Sequence, residues 1–285
     1  MSGTHPYRGT PVALATKHAK EHVLAPALAR APGLRVSVPE LDTDRLGTFT
    51  GEIERPAPAR ETALLKARLG IEASGLPRGL ASEGSFGPHP QVPFVPVGLE
   101  ILAFVDHDLG IEVVEQRLSE HTNFAHTTAS ALDQQTERFL ASARFGEHAL
   151  IVRPNAGDTN DGLQKGIVSR EELAEAIRRC AHASEDGLAF VETDMRAHHN
   201  PTRMRQIALL ARRLADRLSA LCPACAAPGY GTVDTRPGLP CSACRTPTAR
   251  IAVEVQGCAR CEHRRPRPVA GARAADPGEC PYCNP

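Results

Sequence analysis

Apolar residues recur with strand and helix periods along the first 220 positions, and the pattern breaks off near Leu221. Residues 11–15 are a continuous apolar run, the mark of a short buried strand. Residues 17–30 carry helical spacing, with Pro26 inside it, and residues 34–38 read as a second strand. From 61 to 74, Leu64, Leu65, Ala67, Leu69 and Ile71 make a broad helical stripe that Gly75 and Pro77 stop. A strand over 79–82 follows. Residues 101–106 and 111–116 are two strands around His107-Asp108-Leu109-Gly110, a hairpin. Downstream come a helix over 131–144 and a strand over 149–153. Ser169-Arg170-Glu171-Glu172 is a capping box opening a helix that runs to about residue 182. Residues 188–192 form another strand. Pro201 then starts a long helix in which Met204, Ile207, Leu210, Leu214, Leu218 and Leu221 share one face. Strand–helix alternation plus a hairpin predicts a layered α/β fold around a mixed sheet.

After Leu221, cysteine, proline, glycine and arginine replace the apolar runs. Four Cys-x-x-Cys pairs stand in the tail: Cys222/Cys225, Cys241/Cys244, Cys258/Cys261 and Cys280/Cys283. Two residues between cysteines let both sulfurs face one ion, and two such knuckles complete a tetrahedral four-sulfur zinc site. The expected organisation is therefore an α/β domain over 1–220, carrying any active site, and a double zinc-ribbon module over 221–285 with two structural zinc ions. Sequential pairing gives two ribbons, Cys222 to Cys244 and Cys258 to Cys283; alternate pairing gives a cross-braced unit. Linkers long enough for a hairpin each favour the sequential arrangement. Cys180 lies within a helical stretch and reads as a core residue.

Composition sets limits on partners. Thirty-three basic residues balance thirty-three acidic ones, so no global field recruits nucleic acid or an anionic membrane. Aromatic content is 4% with no tryptophan, which leaves few side chains for base stacking. No run approaches the ~18 apolar residues of a membrane span, and the first residues do not read as a secretory signal. The expectation is a soluble, cytoplasmic chain, where a reducing environment favours metal over disulfides as the reason for paired cysteines. The tail has eight arginines and no lysine against five acids, an excess that two four-thiolate sites of about −2 each would reverse. The run Arg264, Arg265, Arg267 is a weak footprint for nucleic acid.

Polar chemistry gathers at strand ends. Thr16 to Glu21 follows the first strand and opens a helix, where amides with Lys17 and Lys20 suit an anion such as phosphate. Asp42-Thr43-Asp44 and Thr48-Phe49-Thr50-Gly51-Glu52 add acids and hydroxyls around glycine turns. Ser82-Glu83-Gly84-Ser85 ends a strand, where ligands of α/β sheets collect, so Glu83 is a candidate base or metal ligand. Alternation places Glu192 and Asp194 on one side of their strand, where a hard cation can use both. His121, Asn123 and His126 form a third cluster.

Two resemblances rest on these residues. The ordering of Ala15 to Glu21, Asp42-Thr43-Asp44, Thr48 to Glu52, Ser82 to His89, Thr122 to His126 and Glu192 to His198, followed by cysteine pairs, resembles an uncharacterised bacterial family with a domain of unknown function. Separately, Ala63 to Arg68, Gly75-Leu76-Pro77 and Leu80 to Ser85 are similar to the central segment of inosine triphosphate pyrophosphatases. Those enzymes remove pyrophosphate from non-standard nucleoside triphosphates with magnesium. That resemblance implies a metal-binding or basic role for Glu83 and substrate contact by Lys66. It implies phosphate contact by Lys20, with His18 where the family has asparagine. Arg196 with His198 resembles the family's Ser-His-Arg segment.

The functional expectation is a magnesium-dependent hydrolase of a phosphorylated small molecule. Glu83, Asp194 and His126 are its catalytic candidates and Glu52 and Glu83 its metal ligands. Lys17, Lys20, Lys66 and Arg196 are its substrate contacts. The alternative is a non-catalytic zinc-ribbon protein that docks on nucleic acid or a protein partner.

Overall fold

The computed structural model describes residues 4–43, 46–47, 53–160, 162–271 and 273–285. Its first sheet is mixed, in the order β2-β1-β3-β4-β5. Strand β1 (Pro11–Ala15) lies parallel to β2 (Arg35–Ser37) on one side and to β3 (Arg78–Pro88) on the other. Strands β4 (Pro96–Asp106) and β5 (Ile111–Ser119) continue it antiparallel. Helix α1 (Glu21–Arg30) carries the chain from β1 to β2, and α2 (Ala59–Ser74) carries it back over β1 to β3. The two helices cover opposite faces. Leu24 and Leu28 of α1 join Val12, Leu14, Leu80, Leu102 and Phe104 in one core, while Ala63, Leu64, Ala67 and Ile71 of α2 join Ala15, Ala81, Ile101 and Ala103 in another. The strand order thus reverses direction between β1 and β3, which opens a crevice beyond the carboxyl end of β1.

Close packing under α2 sharpens this geometry. A Cβ on Gly79 would lie 2.0 Å from the Ala67 carbonyl oxygen, so α2 rests directly on the β3 backbone. The helix therefore delivers Lys66 to the crevice at short range.

A second sheet, β6-β9-β7-β8, is built from β6 (His126–Ala129), β7 (Leu150–Pro154), β8 (Gln164–Ile167) and β9 (Ala189–Thr193), antiparallel throughout. Helices α3 (Gln134–Ala143) and α4 (Arg170–Ala183) seal one of its faces with Phe139, Leu140, Leu173, Ile177 and Cys180. Cys180 is fully buried there, and Ser169 caps α4 by accepting from the Glu172 amide. Helix α5 (Pro201–Ser219) then returns to the first sheet, beside α1, with Ile207, Leu210, Leu214 and Leu218 buried. Sequence patterning anticipated one mixed sheet; the α/β region has two, because the short polar strands β6 and β8 carry little period-two signal of their own. Strand β3 also outruns its expected end. Pairing with β4 along its whole length holds Gly84 to Gly87 extended despite their weak strand preference.

The tail forms a three-stranded antiparallel sheet of β10 (Gly231–Pro237), β11 (Ile251–Gly257) and β12 (Arg264–Pro268). Among the described residues no helix is long and apolar enough to cross a membrane.

Candidate functional site: two cysteine tetrads and a cationic pocket

The cysteines gather in two fours, and the pairing is alternate. Cys222, Cys225, Cys258 and Cys261 form an inner tetrad, and Cys241, Cys244, Cys280 and Cys283 an outer one, with the sulfurs of each within 4.8 Å of one another. The sequential ribbons expected from linker length are overturned. Each linker supplies a strand rather than a complete hairpin. Gly231 at the start of β10 stands opposite Gly257 at the end of β11 and Arg264 at the start of β12. Successive knuckles therefore fall at opposite ends of the sheet, and only alternate ones meet.

The sulfur spacing suits a tetrahedral ion. Cys222 and Cys261 are 3.8 Å apart, Cys225 and Cys258 3.6 Å, Cys241 and Cys283 3.9 Å, and Cys244 and Cys280 3.6 Å. Four thiolates at a zinc–sulfur bond of about 2.3 Å sit about 3.8 Å from one another. Backbone amides aim at the sulfurs as well: those of Arg260 and Cys261 point at Cys258 Sγ from 3.2 and 3.3 Å, and that of Ala224 at Cys222 Sγ from 3.4 Å. Such donors stabilise thiolate ligands.

The second feature is the crevice between β1 and β3. Thr16, Lys17, His18 and Lys20 line it from the turn after β1, Lys66 from α2, Ser82, Glu83 and Gly84 from β3, Arg203 from α5, and Thr43, Gly47 and Arg55 from the connection before α2. Among the described residues Glu83 is the one carboxylate in this lining, beside Lys17, Lys20, Arg55, Lys66 and Arg203. Lys66 Nζ pairs with Glu83 Oε1, and Arg55 Nη2 lies 3.4 Å from Glu83 Oε2. Lys20 is buried, and its ammonium donates to Ser82 Oγ at 2.7 Å and to the Ser82 carbonyl at 3.4 Å. Burial, with Arg203 next in weight, lowers its pKa to about 8. Burial, followed by the charge of Lys20, holds His18 neutral with a pKa near 3.

Arg203 was not singled out in the sequence, although it could have been. It falls on the apolar stripe of α5, one turn before Ile207. Glu100 likewise interrupts the nearly continuous buried apolar run of β4, on the same face as Leu102 and Phe104. Opposite charges on two facing buried surfaces call for each other, and Arg203 Nε donates to Glu100 Oε1 at 2.7 Å. A second guanidinium nitrogen donates to the Met195 carbonyl. Gly84 leaves room for this side chain, since a Cβ there would lie 2.3 Å from Arg203 Nη2. Arg55 carried no signal, because it lies in an irregular, proline-rich connection.

Other expectations separate from the pocket. Asp194 is fully buried and grips Arg196, accepting from Nε at 3.0 Å and Nη2 at 2.6 Å. Glu192 faces Arg153 Nε at 3.5 Å. The shared cation site for Glu192 and Asp194 is therefore corrected: β9 ends at Thr193, alternation lapses, and each carboxylate has its own arginine. His126 is exposed on β6, stacked on Phe190 with centroids 4.9 Å apart, and does not line the pocket. Arg196 and Asp194 are outside the lining too, but their segment reaches it, for His198 stacks on His18 at 4.9 Å. Glu52, with Asp44 and Thr48 to Gly51, lies outside the described residues. In the tail, Arg264 donates through Nη1 to the Cys258, Cys261 and His263 carbonyls, which ties this member of the basic run to the inner knuckle.

These elements define an α/β protein with a cross-braced, cysteine-rich tail and a cationic crevice at its strand switch. The chain belongs to the family described as a domain of unknown function, DUF6671, whose model matches residues 66–285. The match begins at Lys66 and includes Glu83, Glu100, Arg203 and both tetrads. No curated protein matches the chain.

Proposed function

We propose that this protein binds a phosphorylated small molecule in the β1/β3 crevice and hydrolyses it, with structural zinc in both tetrads. The observation that carries the reading is five cationic side chains converging on one strand switch, with Glu83 the one carboxylate among the described lining residues. Lys17 also pairs with Asp42 and Arg203 with Glu100, so the match to a phosphate lies in the density of ammonium and guanidinium donors around one crevice. Magnesium, when bound, enters with such substrates on their phosphate oxygens, needs one or two protein carboxylates, and offsets the developing charge. Glu83 would be its ligand here or would orient the attacking water. A phosphate taking up Lys66 and Arg55 leaves a Glu83 oxygen available for either task.

The test is a screen of nucleoside triphosphates and phosphate esters with magnesium. On a substrate so found, Glu83→Gln removes turnover from a chain that still folds, with a melting temperature lowered by the loss of the buried pair with Lys66. Unchanged turnover would take Glu83 out of the mechanism, and no binding of any anionic compound would end the reading.

The pH dependence has a definite sign. Lys20 must be protonated to attract an anion, and its pKa in the free protein is about 8. Binding of sulfate, which stays a dianion throughout, is expected to be strongest below pH 8. It weakens as pH rises through 8, approaching tenfold per unit until the pKa in the complex is reached. Calorimetry from pH 6.5 to 9.5 measures this, and Lys20→Met should give a weaker, flatter profile. A flat native profile would place the anion away from Lys20.

A further inference from the structure

The two tetrads have unequal connections to the rest of the chain. Cys222 and Cys258 are buried within the main core, in the same cluster as Val113, Leu214 and Leu218, and Cys261 and Ala259 pack against it. The knuckle after α5 is tied to that helix by the Tyr230 amide on the Ala220 carbonyl at 3.1 Å and by Arg217 Nε on the Gly229 carbonyl at 3.4 Å. Gly229 itself sits so close to β5 that a Cβ would meet Val113 at 2.8 Å. The outer tetrad shows no such tie among the described residues. Its neighbours are tail residues, as in the Ser242 amide on the Ala275 carbonyl, the Ala275 amide on the Pro240 carbonyl, and the Arg250–Glu279 pair.

Helix α5 runs from the inner tetrad to the pocket. Its 19 residues span roughly 28 Å at the α-helical rise. Leu218 at one end packs with Cys222, and Arg203 at the other lines the crevice. We infer that the metal ion of the inner tetrad regulates the pocket by fixing α5 and hence Arg203, so that anion binding depends on that ion and not on the outer one. This rests on the anion-binding reading above. The physical basis is that binding energy at a four-thiolate site becomes folding energy of the elements holding it. Without the ion, the 222–230 and 258–263 knuckles lose their organising centre, and the carboxyl half of α5 loses part of its apolar cover. Glu100 and the Met195 carbonyl anchor Arg203 locally, and sufficiency of those anchors is the competing outcome.

The test uses the full metal-loaded chain, a Cys225→Ser/Cys261→Ser variant and a Cys280→Ser/Cys283→Ser variant. Each is measured for sulfate affinity and for amide hydrogen exchange along 201–219. The inner variant should bind sulfate at least tenfold more weakly and exchange at least tenfold faster over α5. The outer variant should stay within twofold of the native chain on both. Native affinity and native α5 protection in the inner variant would overturn the inference. Should the inner variant not fold, the inner ion is chelated from the outer variant while α5 exchange is followed; faster exchange supports the coupling, and unchanged exchange rejects it. A native chain that binds no sulfate defeats the anion reading, whereas the exchange comparison still decides the coupling.

Discussion

Replacing Cys241, Cys244, Cys280 and Cys283 together by serine leaves a chain that retains one tightly held metal ion, against two in the native protein. Alternate pairing leaves the inner tetrad whole in this variant. Sequential ribbons would lose half of each site, and no four-thiolate centre would survive. The count therefore reads the topology directly, through metal analysis after gel filtration. Because the hydrogen bonds and the ion pair around the outer tetrad described above stay within the tail, the α/β core of the variant should melt near its native temperature. Retention of no ion, or of two, would contradict the cross-brace. Zinc is the expected metal, because four soft thiolates in a closed tetrahedron leave no open position and favour a d¹⁰ ion without geometric preference.

The second large effect is expected at Glu100. Its carboxylate and the Arg203 guanidinium are both buried, with side-chain exposures of 3% and 5%. Removing one partner of such a pair leaves an uncompensated charge away from water. Glu100→Ala should therefore lower stability by about 3–5 kcal/mol, roughly 10 °C in melting temperature for a chain of this size. Arg203 also lines the pocket, so sulfate affinity should fall with it. The double variant Glu100→Leu/Arg203→Met should recover much of the stability, since it removes both charges and keeps the volume apolar, yet recover none of the affinity. This split separates a structural ion pair from an anion-binding one. A melting temperature within 2 °C of native for Glu100→Ala would mean that water or another group already satisfies Arg203.

The sequence by itself settled the features that depend on local spacing. Continuous apolar residues over 11–15 gave β1, the Ser169 box gave the start of α4, and Pro201 with its apolar stripe gave α5. The Cys-x-x-Cys pairs announced knuckles because a two-residue gap turns both sulfurs one way in any context. Lys17 and Lys20 were legible as candidates because polar residues just beyond a strand end point to the ligand side of an α/β sheet; Glu83 was reached by the same rule, although β3 runs on past it to Pro88. The tertiary structure alone decided which of these groups meet. Cysteine partnership depended on the length and antiparallel course of β10, β11 and β12, since three strands laid side by side return every second knuckle to the same end. Membership of the pocket depended on the strand reversal between β1 and β3, and on α5 crossing back to bring Arg203 to Glu100 over about a hundred residues of intervening chain. Asp194 and His126 carried the same polar signal as Glu83, yet one is enclosed by Arg196 and the other stacks on Phe190 at the surface. Spacing along a chain fixes the direction a side chain takes from its own backbone, but long-range packing fixes what it faces.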